Sequence, residues 1–149
     1  MMDLALWREY LGQLDKLADT LDKLTALERE KTAAVSRGDL AAVDGCMKRE
    51  QVFSLNLRGL DQKREKLLAQ LGLAGSTLSQ LESQSPPEAI LETKKTAEKL
   101  RQRYQVFQSA SEVARNALEC NLHEIEKLQK EKEARDEAMP EARQADFRA

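Results

Sequence analysis

The chain has 149 residues and a formal net charge of −2, enough for one domain with a genuine core and too few for two ordinary ones. That balance excludes the global basic field that recruits nucleic acid or an anionic membrane surface. Charged residues make up 34% of the chain with both signs interleaved, and only 6 Gly and 3 Pro punctuate it. This is the composition of solvated helix faces rather than of a turn-rich β fold.

A first helix is expected over about 3–36. Asp3 is its N-cap, and Leu4, Trp7, Leu11, Leu14, Ala18 and Leu21 recur in steps of three and four. Leu17, Leu24 and Leu27 broaden that stripe. Trp7 and Tyr10 sit where an aromatic can close a bundle end and keep its polar atom in water. Gly38 suits the left-handed position after a helix, and Asp39 suits the next N-cap, so the second helix (about 39–71) must fold back on the first. Its stripe holds Leu40, Val43, Met47, Phe53, Leu57, Leu60, Leu67 and Leu71, with Cys46 and Leu68 beside it. Gly59 lies inside this helix and is expected to mark close approach of a neighbour. Leu71-Gly72-Leu73 is a helix stop.

Residues 74–84 turn small and polar, with Ser76 placed to cap a short helical connection near 76–83. Ser85-Pro86-Pro87-Glu88 then reads as a capping box with proline in the first turn. Neither Gly nor Pro follows until Pro140, while Ile90, Ala97, Leu100, Tyr104, Phe107, Ala114, Leu118, Ile125 and Leu128 keep helical spacing. A third long helix, about 86–136, follows, and its length makes it the expected piece for the others to pack around. The predicted fold is all-α: an antiparallel bundle of three long helices as one domain over 1–136, with a flexible tail over 137–149. That tail mixes both charges and has only Met139 and Phe147 as large apolar residues, too little surface to order itself.

No apolar run approaches the roughly 20 residues of a membrane span. Asp3 and Glu9 leave no signal-peptide pattern. The expected location is the cytoplasm, where Cys46 and Cys120, which form no CxxC, stay reduced and semi-buried.

Chemistry is sparse. The single histidine, His123, shares a helix face with Glu119 and Cys120, a thin metal site without the Glu-x-x-His spacing of di-iron bundles. No Gly-rich phosphate loop, Gly-x-Ser-x-Gly or HExxH occurs. Nearly all the carboxylates fall on polar faces beside Lys or Arg as solvated pairs. Lys94, Lys95, Lys99, Arg101 and Arg103 are interrupted by Glu92 and Glu98, the pattern of a solvated face. No catalytic, cofactor or metal residue is expected, and no enzyme activity.

The polar residues Ser111 and Asn121 in the long helix's stripe either fix register or mark a surface for a partner. If the chain runs up, down and up, the long helix reaches the level of the Gly38 turn near His123. Leu118, Asn121, Leu122, Ile125 and Leu128, with Met139 and Phe147 in the tail, are therefore the expected partner-binding residues.

Three stretches together resemble the FlgN family of flagellar type III export chaperones. They are Leu27-Glu28-Arg29-Glu30 followed by Arg37-Gly38-Asp39-Leu40-Ala41-Ala42-Val43, then Arg49-Glu50 with Val52-Phe53. The third is Arg64-Glu65-Lys66-Leu67-Leu68-Ala69-Gln70-Leu71-Gly72-Leu73. The order and spacing of the three carry the likeness, over roughly residues 10–130. Family members often carry an Asn shortly before paired leucines in the last helix, where this chain has Ser109 to Ala114 or, shifted, Asn116-Ala117-Leu118. The resemblance implies a cytoplasmic, non-enzymatic chaperone without a cofactor, using its C-terminal region for the client. That chaperone would hold hook–filament junction proteins of the FlgK/FlgL type and pass them to the export gate. The residues themselves also allow a second reading: a scaffold or coiled-coil protein forming a homo-oligomer through its long helix. Neither reading involves nucleic acid or stable membrane insertion.

Overall fold

The computed structural model describes residues 3–138, less the side chains of Ile125 and Ala138. Four α-helices lie within them: α1 (Leu4–Ser36), α2 (Leu40–Gln70), α3 (Leu78–Ser83) and α4 (Ile90–Ala138), the last entered through a 3₁₀ turn at Pro87–Ala89. The expected boundaries of α1 and α2 hold because their caps do. Asp3 Oδ1 accepts from the Ala5 and Leu6 N–H groups, and Asp39 Oδ1 from that of Ala42 at 3.1 Å. Gly38 and Gly72 take φ of 69° and 75°, a conformation that glycine adopts without a Cβ penalty. That lets the Asp39 N–H reach the Ala34 carbonyl and the Leu73 N–H reach that of Leu68, both at 3.0 Å, which satisfies carbonyls a helix end leaves open.

The start of the long helix differs from expectation. Ser85 caps nothing. Its hydroxyl donates to the Pro86 carbonyl at 3.1 Å and meets the Thr93 hydroxyl at 2.8 Å, while Pro86 enters the 3₁₀ turn without a side-chain cap. Pro87 removes one of the two N–H groups that a Ser85 cap would bond, and the hydroxyl is engaged by Pro86 and Thr93 instead. The capping box forms at α3 instead. There the Thr77 hydroxyl accepts from the Gln80 N–H at 3.2 Å and Gln80 Oε1 accepts from the Thr77 N–H at 2.8 Å, so Thr77 takes the role expected of Ser76.

The helix at the centre is α1, not α4. It packs along α2 and along α4, whereas among the described residues α2 and α4 bring no Cα pair within 8 Å. Side-chain partners give the directions. Gln13 Nε2 donates to the Leu60 carbonyl at 3.0 Å and Arg49 pairs with Glu30 at 3.1 Å, so α2 runs antiparallel to α1. Arg8 pairs with Glu92 at 3.1 Å and Arg103 with Asp22 at 3.0 Å, so α4 runs parallel to it. α1 supplies the large core residues, and α4 meets it mainly through small ones: Thr93, Thr96, Ala97, Ala110 and Ala114 are buried. Small side chains at a contact let helix axes approach closely.

This arrangement explains which apolar residues stay uncovered. Leu40 (69% exposed), Met47, Ile90 and Tyr104 (50%) were expected in buried stripes. α1 covers only the faces of α2 and α4 turned toward it, and those two do not cover each other. Gly59 is likewise not a close approach, since nothing lies within 4 Å of where its Cβ would stand.

The main core occupies one end of the molecule, where Trp7, Tyr10, Leu11, Leu14, Leu68 and Leu81 cluster. Both aromatics are fully enclosed, against the expectation of wet polar atoms. Trp7 (0% exposed) donates from Nε1 to Thr93 Oγ1 at 2.8 Å, and Thr93 is itself bonded to Ser85. The Tyr10 hydroxyl is buried near the Arg64 guanidinium without a well-formed hydrogen bond; burial raises its pKa, and the Arg64 charge opposes the rise. Toward the other end lies a smaller cluster of Ala34, Val35 and Val43, with Ala117 and Leu118 packed against it.

One set of carboxylates is an exception to the solvated pairs. Lys31 lies 3.2 Å from Glu28 and 2.6 Å from Glu50, its side chain 10% exposed and that of Glu28 6%, so the triad ties α1 to α2 from inside. Burial and then the Glu50 charge raise the Glu28 pKa. Burial works against the charge on Lys31, but its hydrogen bonds to Glu50 and the two carboxylate charges more than offset that and raise its pKa.

Candidate partner-binding surfaces

Two unpartnered apolar features follow from this packing. The first is the far end of α4. Leu118 packs against the cluster of Ala34, Val35 and Val43, and with the ion pairs already described that register puts the Gly38 turn level with about Asn121, half a turn before the expected His123. α4 then continues to Ala138, roughly 25 Å further at 1.5 Å per residue. On this projection Leu122 is 57% and Leu128 62% exposed. Of the residues expected to bind a partner, then, Leu118 is half-buried in the small cluster and Asn121 is half-buried at the turn. Leu122 and Leu128 face solvent. The Ile125 side chain, Met139 and Phe147 lie outside the described residues. Ser111, the other polar residue in the stripe, is half-buried.

The second feature was not anticipated. Because α2 and α4 both lean on α1 without meeting, a furrow of about 510 Å³ opens between them. Its floor is Tyr10, Leu14, Leu17 and Leu21 of α1; Leu57 and Leu100 stand on its walls, and α3 contributes Leu78 and Leu81. Arginines rim it. Arg64 is held by Asp61 at 2.8 Å, and Arg101 by Glu82 and, at 3.1 Å, by Ser79. Arg58 makes no hydrogen bond or ion pair among the described residues. A signal for this furrow was present in α1, whose leucines are too many for one stripe and so require two neighbours.

The other candidates resolve simply. Lys99 lies 3.7 Å from Asp15 and 3.5 Å from Asp19, so with Arg101 and Arg103 much of the basic cluster is spent holding α4 to α1 and α3. Glu119, Cys120 and His123 are exposed on α4. The Cys46 thiol is buried, and burial raises its pKa, which makes it inert rather than nucleophilic. Among the described residues no helix is long and apolar enough to cross a membrane.

No curated protein and no solved structure matches the chain at a significant level. A family model, described as FlgN protein, matches residues 2–134, which takes in α1 through nearly all of α4. The chain belongs to the FlgN family of flagellar export chaperones.

Proposed function

We propose that this chain is a non-enzymatic cytoplasmic chaperone that binds FlgK/FlgL-type hook-associated proteins through the projecting end of α4 and passes them to the export gate. The observation that supports it most is that projection, a helix outrunning its own bundle with Leu122 and Leu128 exposed. A client helix with an apolar face can lie along those residues, and its covered face is then unable to self-associate before export.

Co-expression with a FlgK-type protein tests this. A soluble complex is expected from the full chain and none from the Leu122→Glu/Leu128→Glu double variant. Both positions are exposed, so the variant leaves the bundle intact. The same exposed leucines also suit a seam between two copies. A stable dimer by light scattering, with a pull-down from a flagellated host that recovers no flagellar protein, would assign the α4 end to a scaffold instead.

A further inference from the structure

The furrow between α2 and α4 lies toward the opposite end of the bundle from the α4 projection. We propose that it is a second docking surface, whose occupant is an amphipathic helix of a partner protein, about three turns long, with carboxylates flanking its apolar stripe. This inference does not depend on where the client binds.

The shape selects a helix. Three helices running up, down and up, with α1 touching both others and α2 apart from α4, form a four-helix bundle that lacks one member. A helix laid in the furrow would rest on floor side chains that are already buried and would cover the half-buried Leu57, Leu78 and Leu100 and the exposed Tyr104 along the walls. The floor runs from Tyr10 to Leu21, roughly 17 Å of helix, or three turns.

The chemistry selects the kind of helix. The floor is apolar, and Arg58, Arg64 and Arg101 line the furrow against the single acidic residue Asp61. Asp61 and Glu82 already engage two of the arginines, which leaves Arg58 to meet a carboxylate from outside. A cationic rim discriminates by charge, while burial of the partly exposed apolar walls supplies affinity.

From Tyr104, at the furrow, α4 carries the chain about 50 Å away to Ala138. Residues 139–149 span at most about 40 Å, so they do not reach back to the furrow.

The probe is a stapled helical peptide of about 18 residues with leucines at i, i+3, i+4 and i+7 and glutamates beside them, labelled for fluorescence anisotropy with the full chain. A companion peptide carries lysine for glutamate. The acidic peptide is expected to bind at least about tenfold more tightly than the basic one. Arg58→Glu should weaken it about tenfold, and Ser54→Trp, which places an indole in the furrow from an exposed wall position, should abolish binding. Thermal melts check that both variants fold. Leu122→Glu/Leu128→Glu should leave peptide binding unchanged, so failure of the client reading and failure of this one are separately visible. Equal affinity for the two peptides, no binding of either, or binding untouched by both furrow variants would overturn the proposal. So would self-association of the chain alone in sedimentation that Ser54→Trp abolishes, since that assigns the furrow to a second copy.

Discussion

The two ends of this molecule are built from similar helix-forming sequence and differ in almost every physical respect. At one end α1, α2, α3 and the start of α4 converge, enclosing Trp7 and linking its indole N–H through Thr93 to Ser85. At the other end α1 and α2 turn back at Gly38 and α4 goes on alone, with Leu122 and Leu128 in water. The contrast shows that an apolar residue at helical spacing is core only where a neighbour reaches it. Leu128 satisfies the period as well as Leu14 does. What separates them is the number of helices at that level of the bundle.

The sharpest way to break the comparison is at Trp7. Trp7→Ala should cost about 3–5 kcal/mol, because it empties a fully enclosed indole volume that the surrounding helices cannot collapse to fill. Urea unfolding monitored by circular dichroism measures it. A cost near 1 kcal/mol would mean that the closed end is no better packed than the open one.

A second effect lies between the ends, in the triad that ties α1 to α2. Lys31→Ala leaves Glu28 and Glu50 facing each other in partial burial without a counter-ion, a loss on the order of 3 kcal/mol at neutral pH. Adding Glu28→Gln to that variant should recover much of it. In the parent chain the raised Glu28 pKa has a definite sign. Just above the usual carboxylate value of 4.5, folded Glu28 keeps a proton that the unfolded chain has released, so this group's share of the stability falls as pH rises through that window. Glu28→Gln removes that slope, which urea titrations at a series of pH values between about 4.5 and 7 would reveal. Lys31 acts at the other extreme, its share present below 10.5 and lost as pH rises through its raised folded value.

The sequence made the helices legible, and their neighbours less so. Asp3, Gly38-Asp39 and Leu71-Gly72-Leu73 mark boundaries through local backbone chemistry, which needs no tertiary context, and the structure follows them. Ser85 misled because its hydroxyl had a tertiary partner in Thr93, which no local pattern contains. The centrality of α1 was available in its surplus leucines but was outweighed by the length of α4. The furrow was not legible from α2 alone, since Leu57 obeys the same period as the buried Leu67 and only the separation of α2 from α4 leaves it half-covered. The α4 end was anticipated to within a turn because it rests on helix rise and residue count.

A smaller effect is expected at Gly59, exposed in mid-helix with open space where a Cβ would stand. Gly59→Ala should stabilise by about 0.5–1 kcal/mol, through the backbone entropy the unfolded chain loses. A loss of stability would restore the idea of a neighbour pressed against that face.

The smallest expected change in stability is at the open end, and it tests the comparison most directly. Leu122→Glu/Leu128→Glu should shift the urea midpoint by no more than about 0.5 kcal/mol equivalent, because neither side chain is covered by the bundle. Were the α4 projection merely a badly finished piece of the fold, added charge there would change nothing measurable. If it is a surface kept apolar for a partner, the same variant unfolds like the parent and fails to hold a FlgK-type protein in solution. Stability and binding then separate along one molecule. The closed end carries the folding free energy through buried volume, and the open end keeps its leucines at no cost to that fold because none of its stability depends on them.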